Sequence, residues 1–256
     1  MSFDLRLVKT ARDAEAAKRL AREALWLRAL SGVRALEGQV PRLLEQGTDA
    51  AGRDYLVIGI QPGTGETRAF TTDHARFLAH LGKARFRVAE FEHAGKCQWI
   101  QRAITGLPRA STPLLEAAYA DCEKALLYWS GPYVLAQGDF APWNIRTFGS
   151  QLFVFDWGSA HADASPLDDV LHYLMIQRRL KSVRLLRRAM GRAQEFALAA
   201  YPEWSWRWPV IGALTLVYLL GVILHRMRDS AERAADPVVG AYWKLLEKRS
   251  IWMKEN

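Results

Sequence analysis

Two carboxylates and one amide have the residue types and the spacing that chemistry requires. Asn144 follows Asp139 by five residues, and Asp156 follows Asn144 by twelve. In the kinase pattern, one aspartate orients the acceptor hydroxyl and takes its proton, and an asparagine and a second aspartate hold Mg2+. Mg2+ prefers such oxygen ligands. The spacing therefore predicts a phosphoryl-transfer site with Asp139 as the catalytic residue and Asn144 and Asp156 as metal ligands.

Two apolar runs must position these residues. Tyr133–Ala136 leads into the segment that carries Asp139, and Gln151–Phe155 ends at Asp156. Both are expected to be strands, lying side by side, with the polar residues where the backbone turns away. The alternative is a pair of hairpin strands whose aspartate and asparagine only form turns.

The loop and the second aspartate together resemble a known family. Residues 137–144 read QGDFAPWN, and Asp156 is followed by Trp157. This is similar to the aminoglycoside/choline kinase-like phosphotransferases, whose loop usually reads HGDxxxxN and whose metal motif is often Asp-Trp. The family's histidine braces the loop, and Gln137 stands in its place. A glutamine amide also donates and accepts hydrogen bonds, so the same bracing role is expected of it.

The resemblance implies a fold and two cofactors. The expected fold class is α/β (α+β), a two-lobed protein-kinase-like fold with a reduced N-lobe sheet and a mainly helical C-lobe. The expected activity is ATP- and Mg2+-dependent transfer of the γ-phosphate to a hydroxyl. A nucleotide-binding lobe is predicted over residues 1–61 and a catalytic, acceptor-binding lobe over residues 62–256.

The N-terminal residues supply a lysine and a glutamate in the order that kinases use. Residues 3–8 alternate as a strand that ends at Lys9, and a helix is predicted over residues 11–30, capped by Thr10 with Asp13. By resemblance, Lys9 grips the α- and β-phosphates and Glu23 on the helix holds Lys9. The alternative is a solvent-facing Glu23 that pairs with neighbouring arginines.

Two further strands are predicted over residues 41–47 and 54–61. By analogy with the family, the adenine would bind backbone groups of Gly59, Ile60 and Gln61. The glycine-containing segment 62–67 lacks the ending of a phosphate-binding loop and is interpreted as the linker between the lobes.

A glycine-rich loop is the part of the pattern that is missing. Kinase-like folds usually place two strands and such a loop before the lysine strand, and too few residues precede Lys9 to form them. Such a loop excludes water from the phosphates. Its absence is consistent with a naturally reduced N-lobe, a truncated start or a different cover for ATP. The alternative function is a pseudokinase-type module that binds nucleotide or a partner without turnover.

The C-terminal part is predicted to be helical except for an irregular segment over residues 83–110. Helices are expected over residues 114–129 and 166–174. In the second, Asp168 or Asp169 either braces the catalytic loop, by resemblance, or simply favours the helix N-terminus. The apolar run 210–224 contains fifteen residues. A bilayer requires about 20, so a buried helix is predicted.

Charge and cysteine content limit the partners. The chain has 256 residues, a net charge of +8 and two cysteines, Cys97 and Cys122, without metal or disulfide spacing. A basic chain favours a neutral or anionic acceptor. The resemblance implies that this acceptor is a small molecule, sugar or glycan. The basic amphipathic segment 178–192 is expected to pack on the C-lobe, with an anionic membrane surface as the alternative and nucleic acid as the least favoured partner.

The expected location is cytoplasmic, or peripheral to the inner face of a membrane, since no signal-peptide pattern opens the chain.

Overall fold

The computed structural model describes residues 5–61, 63, 69–109, 112–148, 151–177, 182–229 and 236–255. Within these ranges, helices and strands alternate in the N-terminal third and helices dominate afterwards. In chain order they are β1 (Leu5–Thr10), α1 (Ala14–Leu30), β2 (Arg42–Thr48), β3 (Asp54–Ile60), α2 (Thr72–Ala84), β4 (Phe86–Glu90), α3 (Gly95–Thr105), α4 (Pro113–Leu126), β5 (Ser130–Ala136), β6 (Ile145–Phe148), β7 (Gln151–Val154), β8 (His161–Ala164), α5 (Asp168–Ile176), α6 (Val183–Ala200), α7 (Trp208–Asp229), α8 (Pro237–Glu247) and α9 (Arg249–Trp252).

The chain divides into two compact units. The first unit contains Met1–Arg85 and Leu135–Ala162, and the second contains Phe86–Val134 and Asp163–Asn256. The lobe boundary predicted after residue 61 stays a prediction, since compact packing and assignment to a functional lobe are different criteria. Most of the predicted linker 62–67 lies outside the described residues.

An antiparallel sheet in the order β1-β3-β2 forms the N-terminal part of the first unit. Its register pairs Lys9 with Leu56. Leu56 and Ile58 of the central strand are fully buried, as alternation predicts for the core-facing side. Between β2 and β3 the chain turns around Asp49, whose carboxylate accepts hydrogen bonds from the backbone N–H groups of Ala51 and Arg53, each at 2.9 Å.

Helix α1 packs on this sheet and begins at a different cap from the predicted one. The side chain of Asp13 accepts a hydrogen bond from the backbone N–H of Ala16 at 2.7 Å, which makes Asp13 the N-cap. Thr10 is still part of β1, opposite Tyr55. The predicted Thr10 cap is therefore wrong, because a residue fixed in a strand ladder cannot also start the helix.

The strands near the predicted site pair differently from the expectation. Strand β7 forms a hairpin with β6, with Ile145 opposite Val154. Strand β5 belongs to a separate sheet in the order β4-β5-β8. The predicted side-by-side pairing of residues 133–136 with 151–155 is therefore wrong. The β6–β7 hairpin closes a short loop, whereas pairing β5 with β7 would close a loop over the whole catalytic segment. The entropic cost of loop closure increases with loop length.

In the second unit, the segment predicted to be irregular is ordered. Residues 86–90 form β4, in register with β5, and residues 95–105 form α3. Cys97, Ile100 and Ile104 are buried at helical spacing. The prediction for residues 83–110 is wrong because the basic residues between these apolar positions obscure the pattern. Helix α4 also ends before the predicted Trp129, whose ring packs directly against Gly131.

Helix α7 has 22 residues, so the argument that the apolar run is too short to cross a bilayer is wrong. Among the described residues, Trp208–Met227 is long and apolar enough by length and composition. Most of it is buried inside the protein, as expected for a core helix, with α4 and α8 among its packing partners. The predicted burial is therefore present.

The basic segment forms the N-terminal half of α6, while residues 178–181 lie outside the described part. Its apolar stripe, including Leu186 and Met190, is buried. Arg187 lies over the ring of Trp208 with its guanidinium carbon 5.0 Å from the ring centroid. Both observations favour the predicted packing of this helix over an interfacial role, which would require an exposed apolar face.

Candidate active site

Asp139, Asn144, Asp156, Lys9 and Glu23 all lie in the first unit. The loop after β5 carries Asp139 and Asn144, and Asp156 follows β7. The side-chain N–H2 group of Asn144 donates to the backbone carbonyl of Asp139 at 2.9 Å and to its carboxylate Oδ2 at 2.8 Å. These two bonds hold the Asp139 carboxylate in one orientation. They place the predicted proton acceptor and one predicted metal ligand in direct contact.

A buried aromatic side chain anchors the same loop. Phe140 is fully buried and stacks on Phe77 of α2, with ring centroids 5.9 Å apart. The ring of His74 meets Phe140 edge-on at 6.0 Å. Burial lowers the pKa of His74 to about 4, so this imidazole is neutral at pH 7. The loop therefore rests on an apolar, uncharged support.

Lys9 and Glu23 form an ion pair. Lys9 Nζ lies 2.9 Å from Glu23 Oε1 and 2.8 Å from Oε2. The side chain of Glu23 is 2% exposed and also accepts a hydrogen bond from the backbone N–H of Trp157 at 3.4 Å. Burial raises the pKa of Glu23, and the Lys9 ammonium opposes that rise. The pair that the sequence predicts is thus present, and its role in gripping phosphates stays a prediction.

Lys9 also contacts the second aspartate. Its Nζ lies 3.2 Å from Asp156 Oδ1, and the Asp156 side chain is 53% exposed. Asp156 has φ 61° and ψ 69°, in the left-handed region that costs free energy for a residue other than glycine. Such conformations persist where surrounding contacts enforce them, and they concentrate at functional sites.

Gln137 is one of those contacts, and it joins the two loops. The side chain is fully buried. Its Oε1 accepts from the backbone N–H of Asp139 at 2.9 Å, and its Nε2 donates to the carbonyls of Phe155 at 3.2 Å and Asp156 at 2.6 Å. One amide therefore fixes the backbone on both sides of the site. This is the bracing expected of the residue that replaces histidine.

The glycine next to Gln137 is required by the same geometry. Gly138 has φ +85°, and a Cβ built on it would lie 2.3 Å from the backbone oxygen of Ser159. Neither the dihedral angle nor the space suits another residue. The catalytic loop can approach the segment after Asp156 only because this position is a glycine.

The residues present fit a divalent cation. Asp156 offers a half-exposed carboxylate that contacts Lys9, as does the carboxylate of Glu23, and the Asp139 carboxylate contacts Asn144. The amide nitrogen of Asn144 makes both hydrogen bonds that this side chain forms within the described residues. Its carbonyl oxygen is thus the atom left to bind a cation. Carboxylate and amide oxygens are the ligands that Mg2+ takes in proteins.

The model of the phosphotransferase enzyme family (APH) matches residues 5–206, more than half of the chain. The chain belongs to this family. The match spans all five predicted side chains, so the predicted family is confirmed.

Solved structures of aminoglycoside phosphotransferases share the fold of this family member. A thermostable mutant of APH(4)-Ia in a ternary complex with AMP-PNP and hygromycin B aligns over 96% of this chain and 87% of that chain, with 13% identity and a TM-score of 0.62. ADP-bound APH(2'')-Ib aligns over 94% and 87%, with 17% identity and a TM-score of 0.59. The GDP complex of wild-type aminoglycoside 2'-phosphotransferase-IIIa aligns over 95% and 85%, with 18% identity and a TM-score of 0.58. No curated protein matches the chain.

These likenesses confirm the predicted α+β, protein-kinase-like fold class. Within that fold, the predicted adenine-binding positions lie at the end of β3. Gly59 has strand partners on both sides, Arg6 and Arg42, whereas the register with β2 does not extend to Ile60. Gln61 follows the strand and is buried. Backbone recognition of adenine by these three residues stays a prediction.

Two anchoring residues of this family member escaped the sequence reasoning. Arg22 Nη1 donates to the carbonyl of Gly158 at 3.1 Å, and Trp26 Nε1 donates to the carbonyl of Ala160 at 2.9 Å. With Arg19 and Glu23 they form one stripe of α1, at positions i, i+3, i+4 and i+7. The stripe faces the turn after Asp156, and this spacing around Glu23 is the signal that could have identified them.

Proposed function

We propose that this phosphotransferase moves the γ-phosphate of ATP, with Mg2+, to a hydroxyl of a small-molecule acceptor. One observation carries the proposal. A continuous series of hydrogen bonds runs from Asn144 through Asp139, Gln137 and Asp156 to Lys9 and Glu23. A module that only bound a partner would not need a carboxylate oriented at Asp139. Phosphoryl transfer depends on positioning and electrostatics, which such a rigid network supplies.

Asp139 is proposed to orient the acceptor hydroxyl and take its proton. The hydrogen bond from Asn144 holds one oxygen of the carboxylate and so fixes its plane. The backbone hydrogen bond to Gln137 fixes the residue from the other side. The hydroxyl is thereby directed toward the phosphate with little reorganisation at the moment of transfer.

Asn144 and Asp156 are proposed to hold Mg2+, which when bound would supply positive charge that neutralises the phosphates. Lys9, held by Glu23, is proposed to bind the α- and β-phosphates. Gly59, Ile60 and Gln61 are proposed to receive the adenine through their backbone. Some of the solved neighbours contain ADP, GDP or AMP-PNP, so adenine and guanine nucleotides need to be compared.

The acceptor is proposed to be a neutral or anionic small molecule, sugar or glycan. Some of the solved neighbours are complexes with hygromycin B, gentamicin or kanamycin, which are aminoglycosides. Such cations favour an acidic site, whereas this chain carries a net charge of +8. The proposed location is the cytoplasm. Attachment to an anionic membrane would rest on the cationic side of α6 alone, and vesicle co-sedimentation at rising salt would test it.

The test combines nucleotide binding with turnover. Thermal shift is measured with ATP, ADP and GTP, each with and without Mg2+, because a ligand of the folded state raises the melting temperature. ADP release is then followed with a panel of hydroxyl acceptors. Asp139→Asn should abolish turnover and retain the nucleotide shift, and Asp156→Ala should remove its dependence on Mg2+. A shift without turnover on any acceptor would favour the pseudokinase alternative, and full turnover by Asp139→Asn would refute the assignment.

A further inference from the structure

Trp143 is the exposed side chain of the catalytic loop. Between Asp139 and Asn144, Phe140, Ala141 and Pro142 are buried, whereas Trp143 is 44% exposed. Exposing a large aromatic surface to water is unfavourable, because burying an indole lowers the free energy. Trp143 directly precedes Asn144, one of the proposed metal ligands, so its exposure concerns the proposed site.

The exposure of Trp143 is not a consequence of a loose backbone. Pro142–Asn144 form one turn of 3-10 helix, and the N–H of Asn144 donates to the carbonyl of Ala141 at 2.9 Å. Nη1 of Arg146 donates to the carbonyl of Trp143 at 3.1 Å. Both neighbours in the chain, Pro142 and Asn144, are buried. The backbone that carries the exposed indole is therefore held in place by hydrogen bonds.

That position is close to the proposed transfer point. Asn144 is the next residue, and its amide nitrogen lies 2.8 Å from Asp139 Oδ2. Consecutive Cα atoms are about 3.8 Å apart, which places the Cα of Trp143 on the order of 10 Å or less from the Asp139 carboxylate. This separation is within the length of a molecule of one or two rings.

We infer that Trp143 is a platform on which the ring of the acceptor stacks while one of its hydroxyls is held at Asp139. This inference rests on the proposed function. The acceptor must carry hydroxyls to be phosphorylated, and it must have an apolar face to stack on an indole. A pyranose ring has both features, with hydroxyls around its rim and C–H groups on its faces. The ligand class is therefore a pyranose or pyranoside.

The direct test observes Trp143 itself, by 19F NMR of the full chain labelled with 5-fluorotryptophan. The chain has ten tryptophans, and Trp143→Phe assigns one resonance by removing it. The probes are methyl α-D-glucopyranoside, glucuronic acid and kanamycin, which are neutral, anionic and cationic, each added after Mg-AMP-PNP. The ring-free polyol sorbitol is the control. The Trp143 resonance should shift when at least one pyranose probe is added. It should not shift with sorbitol or with Mg-AMP-PNP alone.

A kinetic test uses whichever probe is phosphorylated. Trp143→Ala should raise the acceptor KM about 2- to 10-fold, the range expected for one aromatic stacking contact, and leave kcat and the ATP KM within twofold. Trp143→Phe should give a smaller rise. Tyr128→Ala, which removes an aromatic side chain that is 95% exposed, is the matched control and should change neither constant.

The outcomes separate this inference from the proposed function. If a pyranoside is phosphorylated but the Trp143 resonance and the KM of Trp143→Ala do not change, the inference fails and the function stands. A resonance that responds to Mg-AMP-PNP alone, or to no pyranose probe, also overturns it. If a pyranose shifts the resonance while no nucleotide binds, the platform stands and the proposed function fails.

Discussion

Replacing Gln137 with leucine should weaken folding and turnover together. The Gln137 amide accepts from the N–H of Asp139 and donates to the carbonyls of Phe155 and Asp156. Leucine has a similar size but no polar atoms, so it would fill the same buried space without these bonds. Asp139 and Asp156, which carry the two proposed carboxylate roles, would lose a common support.

The size of the effect follows from the lost contacts. The three hydrogen bonds measure 2.9, 3.2 and 2.6 Å, and each contributes about 1 kcal/mol net. Because buried backbone partners would remain unsatisfied, the expected fall in unfolding free energy is about 2–4 kcal/mol. For a chain of this size that corresponds to a melting temperature roughly 4–16 °C lower. A misplacement of the loop by about 1 Å would cost about 100-fold in kcat.

The assay first measures the melting temperature. Steady-state turnover is then measured at a temperature where the Gln137→Leu variant remains folded. Gln98→Leu is the matched control, since Gln98 is exposed on α3. Gln137→His should restore most activity at pH 8, because a neutral imidazole has one donor and one acceptor. Its activity should fall below pH of about 6.5, where imidazolium loses the acceptor that Asp139 N–H needs. If Gln137→Leu keeps wild-type kcat, the two loops are positioned by other contacts and this reasoning is refuted.

Three further predictions test other parts of the structure. Gly138→Ala should lower the melting temperature and the kcat, because a methyl group cannot fit beside the Ser159 carbonyl at a positive φ; unchanged values would contradict this. The pKa of His74 is lowered to about 4 by burial, so the unfolded state binds more protons between pH 4 and 6.5. Unfolding free energy from urea titrations should fall as pH decreases through this range, and His74→Gln should flatten that slope. Lys96→Met should cost about 3–5 kcal/mol by leaving the buried Asp168 carboxylate without its ion-pair partner, and adding Asp168→Leu should recover much of that loss in chemical denaturation.

The sequence predicted the residues of the candidate site, and their chemical roles stay predictions. Asp139, Asn144 and Asp156 stand close along the chain, so few alternative arrangements exist. Lys9 and Glu23 lie 14 residues apart, on a strand and the helix that follows it, and the structure pairs them directly. In each case a local pattern and a required contact pointed to the same answer.

Contacts between distant segments could not be predicted from the sequence. Arg22 and Trp26 bind carbonyls more than 130 residues later in the chain, and backbone acceptors have no sequence signature. The pairing of β7 was misjudged for a related reason. Several apolar runs of similar length surround the loop, and the hydrophobic pattern defines which face of a strand is buried without defining which strand lies beside it.

The position of Lys9 shows why the ion pair with Glu23 matters more here than the residue types alone suggest. Among the described strands, β1 pairs only with β3, and its Leu5, Leu7 and Val8 are exposed. A lysine on such an edge strand receives little support from packing, since an edge strand has hydrogen-bond neighbours on one side. The contacts of Lys9 with the buried Glu23 and with Asp156 must supply the rest. A phosphate bound at Lys9 would therefore stabilise β1 itself, because a ligand that contacts a weakly held element adds to its stability.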